Sequence, residues 1–592
     1  MKNIRIMILM SLLGTGISCN DDFLEVAPSD LYSDVIVWQD PALITAFVNE
    51  IYKGLPHGFN VLSTAVLSDI ANDVWGWEIN PVTRSEITPS YLAILGEAHW
   101  SASMKNNVWK NLYKNTRACN VFIDNMQDSE LTGDDIDLLR GEVLYLRAHF
   151  YSILVSTYGG VPIIDKALGL DDDLLISRST FEQCITFIVK DLDDASNLLP
   201  LIGDKAHATK GAALGLKSRI LLYAASDFFN SNGSWAPNYS NKELIGYVGG
   251  NRTAQWQAAK DAAKAVMDLG IYNLYGELNP GSTEVAIDNY INIFLNNGNE
   301  EDILLSFPDN VNNQDWDSPN PGLFTGPNGF HNWGGSHPLG QHVDAYEMSD
   351  GTKFDWTNPS HNTAPYENRD PRFYANILHD GAQWRERPDD VIGSDPLGII
   401  QTGKYEQADG SFTPGLDTRQ GPIEDWNGTY TGYYTRKFID TSINHQYEKQ
   451  KLPWRQMRYA EIILNYAEAC LELAQEGEAI TYINMIRSRA GMPDIVGESG
   501  QTLIDRYRNE RRIELSYELQ RFFDVRRWMI APEVMSTNAQ GVDIVYPVGN
   551  TTSPTYTVKD VNDRAWEHKM YLLPIEQNEI NRNINLIQNP LY

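Results

Sequence analysis

The sequence predicts a mainly α-helical protein in which stacked pairs of antiparallel helices form a scaffold, with a loop-rich subdomain packed against it. Two observations predict this class. Residues 40–274 and 456–592 carry apolar side chains mostly at helical spacing. Residues 275–455 are instead rich in Gly, Pro, Asn, Asp and Trp. Structureless loops of that length are uncommon inside compact domains, so this middle region is predicted to fold as an irregular subdomain.

The first 18 residues have the layout of a secretory signal peptide. Lys2 and Arg5 precede the apolar run 6–17, and Cys19 follows at the expected cleavage point. The run is too short to span a bilayer, which needs about 20 apolar residues. A cysteine at this point predicts lipidation, so residues 19–39 are expected to be a lipidated tether to a membrane. An ordinary secreted protein with a chance cysteine is the alternative.

The clearest helices of residues 40–274 have recognisable ends. A helix over 141–158 stops at a Gly-Gly pair, and one over 179–199 begins with a Ser-Thr cap and stops before proline. Helices over 209–229 and 256–269 are rich in alanine, which lets neighbouring helices pack closely. Short polar links between them predict antiparallel neighbours.

The same pattern returns in residues 456–592. Segments 458–474 and 477–490 predict a helical hairpin that Gly491 and Pro493 close. Paired helices of this length, with small residues at their contacts, are typical of tetratricopeptide-like units. No strict repeat of about 34 residues emerges, so the repeats are expected to be irregular.

Composition limits the partners and cofactors. The chain has 592 residues and a formal net charge of −31, which disfavours binding to nucleic acid. Cys184 and Cys470 fall on apolar helical stripes and are predicted to be core residues. No CxxC or His–Cys cluster is present, so no metal site is predicted. The acidic run 171–173 lacks the spacing of a calcium loop, so calcium is not indicated and no cofactor is predicted.

The usual catalytic motifs are missing from the sequence. It contains no HExxH, GxSxG, P-loop or Rossmann fingerprint, which argues against several classes of enzyme. Paired carboxylates can lie anywhere in a chain, which leaves a surface glycoside hydrolase as an alternative. The segments 510–514 and 526–528 are interpreted as helix-face salt bridges and packing rather than as a phosphate site.

Tryptophans among short polar residues give the strongest binding signal. A stretch near the N-terminus contains Asn72, Asp73, Trp75 and Trp77. The middle region adds Trp316, Phe330, Trp333 and Trp356. An exposed indole can stack on the apolar face of a sugar ring, while amides and carboxylates bind its hydroxyl groups. These residues are therefore predicted to bind an oligosaccharide, and the alternative is that the rings only pack the irregular subdomain.

Several strings of residues, in order along the chain, carry a resemblance to a known family. They include CNDDFLEVAPSD (19–30), LRAHFYSILVSTYGGVPII (146–164), VDAYEMSDGTKFDW (343–356), RYAEIILNYAEA (458–469), ERRIELSYELQRFFDVRRW (510–528) and YLLPIEQNEINRNINLIQNPLY (571–592). With these strings the chain resembles the SusD/RagB family of Bacteroidetes outer-membrane lipoproteins. The resemblance runs from the lipidation region to the final residue.

The resemblance implies a tetratricopeptide-like scaffold tethered through Cys19 to the outer membrane and facing the cell exterior. It implies capture of oligosaccharides, without cleavage, for a partner TonB-dependent transporter of the SusC type. By analogy with the family, the ligand surface comes from an early loop and from loops before residue 343. These positions coincide with Trp75 and Trp77 and with Trp316 and Trp333. A peptide-binding member of the same family is the alternative.

Overall fold

The computed structural model describes residues 37–59, 64–77, 79–96, 109–127, 133–308 and 319–592. Cys19, Trp316 and the predicted signal peptide lie outside these ranges, so their roles stay predictions. No helix within the described ranges is long and apolar enough to cross a membrane.

The first scaffold block consists of helices packed one after another. Its helices are α1 (Pro41–Tyr52), α2 (Asn80–Thr83), α3 (Trp109–Gln127), α4 (Asp134–Tyr158), α5 (Phe181–Leu198), α6 (Lys210–Ala225) and α7 (Arg252–Met267). Helix α3 packs on α4, α4 on α5, α5 on α6 and α6 on α7. This serial packing of neighbours confirms the prediction of stacked helix pairs.

The middle region contains short elements joined by loops. Its helices are α8 (Thr283–Leu295), α9 (Pro321–Thr325), α10 (Gly340–Val343), α11 (Pro359–Thr363) and α12 (Pro371–Asn376). The C-terminal block adds α13 (Tyr459–Glu472), α14 (Glu476–Arg489), α15 (Gly500–Glu514), α16 (Arg521–Arg527), α17 (Ala531–Val534) and α18 (Gln577–Arg582). Helix α13 packs on both α14 and α7, so the predicted hairpin continues the first block.

The strands are short and mostly connect distant segments. They are β1 (Ala71–Asp73), β2 (Asp302–Ser306), β3 (Ser336–Pro338), β4 (Ile377–Leu378), β5 (Lys404–Glu406), β6 (Phe412–Pro414), β7 (Tyr434–Thr435), β8 (Trp454–Arg458), β9 (Ala539–Tyr546) and β10 (Thr555–Asn562). Among the described residues they form one sheet of order β10-β9-β5-β6 and the pairs β1–β3, β2–β8 and β4–β7.

The helix ends follow the predicted signals with two differences. Thr180 and Gln183 form a capping box that starts α5. Helix α4 begins at Asp134, earlier than predicted, because an acidic first turn precedes its apolar stripe. Helix α6 ends at Ala225, before Phe229, because the backbone at Ser226 is already extended. In the described part of the chain, the three cysteines are buried and unbridged, as predicted for Cys184 and Cys470.

The charged segment 510–514 is largely buried and forms salt bridges, as interpreted from the sequence, but the partners lie on other elements of the fold. Arg458 Nη1 lies 2.6 Å from Glu301 Oε1 and 2.7 Å from Glu514 Oε1. Arg489 also binds both carboxylates. Burial alone would raise the pKa of Glu514, but the charges of Arg489, Arg458 and Arg372 lower that pKa well below its usual range. Residues from five segments thus meet in one ion network beneath the loops.

The last 30 residues fold back over the first block. Arg564 donates to the backbone carbonyls of Ser68 (2.6 Å) and Ala71 (2.9 Å). Near the end of the chain, Asn589 Nδ2 donates to the carbonyl of Tyr158, 3.1 Å away. The C-terminal segment therefore stabilises the start of β1 and the residues just before it.

Candidate ligand-binding surface

A two-stranded pairing brings the early loop and the middle region together. Strand β1 runs antiparallel to β3, with Asn72 opposite His337. The chain then turns sharply, because the Asp73 carboxylate accepts the backbone N–H groups of Trp75 (3.0 Å) and Gly76 (2.6 Å). Gly76 has φ +57°, which a side chain would disfavour. This turn displays both tryptophans of the early loop.

Asn72 and Asp73 lie inside the protein, so they position the loop and do not face solvent. Asn72 is buried between strands, where its Oδ1 accepts a hydrogen bond from Asn562 Nδ2 at 2.9 Å. Asp73 is buried as well and holds the turn described above. The prediction that these two side chains bind sugar hydroxyls is corrected here: a loop with buried backbone uses its short polar side chains to satisfy its own amides.

His337 joins a third loop to the first two. Its Nδ1 lies 3.0 Å from the Gly334 carbonyl, so this nitrogen carries the proton and donates. Its Nε2 then accepts the backbone N–H of Tyr430 at 3.4 Å. Burial lowers the pKa of His337 to about 4, despite the opposing effect of the Gly334 carbonyl. The ring is therefore neutral at physiological pH and can act as both donor and acceptor.

Trp75 contacts Trp333 in space, and Trp77 is close to Trp75 in the sequence. Trp75 and Trp333 pack edge to face, with ring centroids 6.2 Å apart and ring planes at 79°. Both rings are half-buried against the core. Trp77, two residues beyond Trp75, is 60% exposed. The early loop and the middle region therefore combine a packed pair of rings, Trp75 and Trp333, with the more exposed indole of Trp77.

The third loop contributes aromatic residues that the sequence interpretation did not single out. Trp426 is 53% exposed and Tyr430 is 37% exposed. The backbone N–H of Gly428, between them, donates to the Trp333 carbonyl at 3.2 Å. The Arg419 guanidinium lies 4.5 Å from the centroid of the Tyr430 ring. Their segment shows the same mixture of aromatic, Gly, Asn and Asp residues as the early loop, and that signal could have found them.

We call five residues the aromatic surface: Trp75, Trp77, Trp333, Trp426 and Tyr430. Three loops from distant parts of the sequence carry them, and each loop is held by backbone hydrogen bonds to another. The surface offers flat apolar rings beside the guanidinium of Arg419. Such a surface can stack on a ring-shaped ligand and donate hydrogen bonds to its rim.

Phe330 is a core residue, which corrects its prediction as a ligand contact. It has no exposed surface and packs with Leu378, Ile400 and Tyr434. The Arg387 guanidinium lies 4.1 Å from its ring centroid. Composition alone could not distinguish this ring from the exposed ones, because all lie among Gly and Asn residues.

Trp356 lies apart from the aromatic surface. Its Nε1 donates to the Asp344 carboxylate at 3.0 Å, and its ring contacts Tyr556 near the start of β10. Asn562, which binds Asn72, lies six residues further along β10. Six strand residues span about 20 Å, so Trp356 is at the opposite end of that strand.

No group of three or more His, Cys, Asp or Glu residues in the described part of the chain could hold a metal ion. The aromatic surface offers aromatic rings for stacking and the guanidinium of Arg419 for cation–π contact and hydrogen bonding.

Comparison with known proteins identifies the family. Residues 300–592 match a family profile described as the SusD family, and residues 22–222 match one described as starch-binding associating with outer membrane. The chain belongs to the SusD/RagB family. Together the two profiles cover the aromatic surface, the C-terminal helical block and the first block as far as residue 222.

Solved SusD-like structures have the same fold over nearly the whole chain. A SusD-like protein from Bacteroides fragilis is 29% identical, with a TM-score of 0.73, over 96% of this chain and 100% of that one. A SusD-like carbohydrate binding protein from the same species is 22% identical, with a TM-score of 0.69, over 93% and 100%. Surface glycan-binding protein A from Bacteroides thetaiotaomicron, in complex with laminarihexaose, is 19% identical, with a TM-score of 0.59, over 92% and 99%.

The helix pairs and the loop-rich region of this SusD/RagB protein therefore have the same fold as these SusD-like structures. The tetratricopeptide-like scaffold predicted from the sequence is thereby confirmed. The last two structures are too distant in sequence to identify ligand contacts, so the site rests on the geometry described above.

Proposed function

We propose that this protein is a lipid-anchored, surface-exposed glycan-binding protein of the outer membrane. It captures oligosaccharides on the aromatic surface and delivers them to a SusC-like TonB-dependent transporter. The observation that carries the proposal is the convergence of three loops with the exposed rings of Trp77, Trp426 and Tyr430, the last of which lies beside Arg419. Solved relatives support it, since one is described as carbohydrate binding and another was solved with laminarihexaose.

The physical basis of capture is a surface that is already in place before the ligand arrives. Aromatic rings stack on the C–H face of a sugar, and the guanidinium of Arg419 donates to its hydroxyl groups. The Asp73 turn, the His337 hydrogen bonds and the Trp75–Trp333 contact hold the loops. A preformed site loses less conformational entropy on binding than a mobile one, which favours affinity.

Capture proceeds without cleavage in this proposal. Glycoside hydrolysis needs a pair of carboxyl groups on either side of the scissile bond. Asp73, the carboxylate of the early loop, is buried and accepts backbone amides of its own turn. It is therefore not placed to act as an acid or a nucleophile toward a sugar on the exposed rings.

The proposed cellular location is supported by the signal sequence and the family. The Cys19 lipidation motif supports anchoring, and the matching profile describes association with the outer membrane. Delivery to a SusC-like transporter is the family's mode of action and is proposed here on that basis.

Calorimetric titration of residues 20–592 with neutral oligosaccharides, laminarihexaose first, tests the proposal. The variant Trp77→Ala/Tyr430→Ala is expected to bind at least about tenfold more weakly, equivalent to about 1.4 kcal/mol. The matched control is Phe412→Ala, which removes a ring that is 48% exposed on β6. Binding of peptides alone would contradict glycan capture, and shorter products after incubation would contradict the absence of cleavage.

A further inference from the structure

A second concave site lies on the helical scaffold, away from the aromatic surface. It is a groove of about 550 Å³ between α3, residues 162–176 and the C-terminal segment that contains α18. Apolar groups line part of it, including Tyr113, Ile164, Ile176 and Leu586. No described residue belongs to both this groove and the aromatic surface. We call it the basic groove for the reason given next.

Positive charge dominates the walls of the basic groove. Its cationic residues are Lys110, Lys114, Arg117, Lys166 and Arg582. Within the described part of the chain, Glu579 is the one carboxylate among the lining residues. This excess stands out because the whole chain has 78 acidic and only 47 basic residues.

Two of the lining cations form ion pairs with neighbouring carboxylates. Lys166 Nζ lies 2.6 Å from Asp172, outside the lining, and Arg582 lies 2.7 Å from Glu579. Arg117 Nη1 donates to the Leu168 carbonyl at 2.6 Å, which fixes its position without neutralising its charge. These exposed ion pairs are screened by solvent and leave their cations available to a ligand.

The cations of α3 form a row. Lys110, Lys114 and Arg117 are spaced i, i+4 and i+7, so they share one face of the helix. The row is about 10 Å long at the rise of an α-helix. A ligand with negative charges at a similar spacing would match this row of cations.

The dimensions of the basic groove favour a short oligomer as its occupant. Its volume lies within the range of about 300–1,000 Å³ that is typical of small-ligand sites. A stable protein partner would need about 800 Å² on each side. A bilayer surface fits poorly into a concave groove enclosed by two chain segments and a helix.

We infer that the basic groove binds an acidic oligosaccharide, a short chain of sugars that carry carboxylate or sulfate groups. The anionic groups lie along Lys110, Lys114 and Arg117, and sugar faces contact the half-buried Tyr113, whose hydroxyl donates to the Pro162 carbonyl at 2.8 Å. That the occupant is a sugar chain rests on the proposed function. The protein then has two sites of different selectivity, one for neutral rings and one for charged chains.

Calorimetric titration of residues 20–592 with hexagalacturonate, a carboxylated oligosaccharide, tests this inference. Cellohexaose, hexaglutamate and phosphatidylglycerol vesicles serve as neutral, peptide and lipid probes. The variant Lys114→Glu/Arg117→Glu is expected to bind hexagalacturonate at least about tenfold more weakly, equivalent to about 1.4 kcal/mol. Raising NaCl from about 50 to about 500 mM should weaken wild-type binding because screening shortens the range of these charges.

Three further variants distinguish binding in the basic groove from effects of net charge, of folding and of the aromatic surface. Lys451→Glu/Lys559→Glu makes the same change in net charge at exposed positions elsewhere and should bind like wild type. The milder Lys114→Gln should also weaken binding, by a smaller factor, if the double variant proves unstable. Trp77→Ala/Tyr430→Ala should leave hexagalacturonate binding unchanged, which keeps failure of the aromatic surface distinct from failure of this site.

Three results would overturn the inference. The first is that neither hexagalacturonate nor a sulfated hexasaccharide gives a heat of binding. The second is that the charge control loses as much binding as the groove variant. The third is that the protein binds hexaglutamate or the vesicles in preference to the acidic sugars.

Discussion

The rings of Trp75 and Trp333 meet edge to face, with centroids 6.2 Å apart. One belongs to the early loop and the other to the middle region, which the chain reaches only after the first helical block. Such contacts contribute about 0.5–1.5 kcal/mol beyond the burial of the rings. The pair therefore fixes the base of the aromatic surface, whereas the side chain of Trp77 is 60% exposed to solvent.

Trp77→Ala is expected to weaken oligosaccharide binding about tenfold, by loss of one stacking ring. Because the side chain is 60% exposed, the free energy of unfolding should change by less than about 0.5 kcal/mol. Calorimetry and urea unfolding of the same preparation measure both effects. Unchanged affinity with a folded variant would remove Trp77 from the site.

Trp75→Ala should behave differently, because this ring packs under the loop. We expect a loss of about 1–3 kcal/mol in the free energy of unfolding, together with weaker binding. Trp75→Phe keeps an aromatic ring in the contact and should recover most of the stability. A variant as stable as wild type would show that the Trp75–Trp333 contact does not hold the loop.

Replacing Arg458 should test the buried ion network. Arg458→Met leaves Glu301, Glu514 and Glu518 without one of their cations in a buried site. Breaking a buried network in this way costs about 3–5 kcal/mol. Urea unfolding would measure it, with Lys190→Met, at an exposed salt bridge, as the control expected to change by less than about 1 kcal/mol.

The stability of the protein should fall as the pH drops from about 6.5 toward 4. Burial lowers the pKa of His337 to about 4, so between these values the unfolded histidine binds a proton that the folded one does not. His57 and His379 act in the same direction, with pKa values also lowered to about 4 by burial. His337→Gln should flatten the pH dependence of the free energy of unfolding in this window. An unchanged slope would contradict a neutral, hydrogen-bonded His337.

Cys19→Ala should release the protein from membranes, because it removes the predicted site of lipid attachment. Fractionation of cells and immunoblotting of the membrane and soluble fractions measure this. Cys470→Ala, at a buried position, is the control and should stay with the membrane. Membrane association of the Cys19 variant would argue against the anchor.

Local signals in the sequence predicted the scaffold well. Caps, Gly-Pro stops and apolar stripes act within one turn or one helix, so α5 and α13 were predicted within a few residues of their ends. The buried ion network was not predicted, because its members come from residues as far apart as Glu301 and Glu514. Charge alone does not tell a buried pair from a solvated one.

The candidate site was predicted in part. Composition indicated the early loop and Trp333, and the structure brings these together. It could not tell that Asn72 would face inward or that Phe330 would be buried, since both outcomes depend on segments that pack from elsewhere. Tyr430 was overlooked although its segment has the same mixture of aromatic and short polar residues as the early loop.

The contacts between the C-terminal segment and β1 affect when this part of the protein can fold during synthesis. Asn562 binds Asn72 across 490 residues of sequence, and Arg564 supports the same strand. The early loop therefore has its support only after the last residues have left the ribosome. Long-range contacts of this kind form late, since a large loop must first close. The first strand therefore completes its contacts only after synthesis, when the C-terminal segment is available to pack against it.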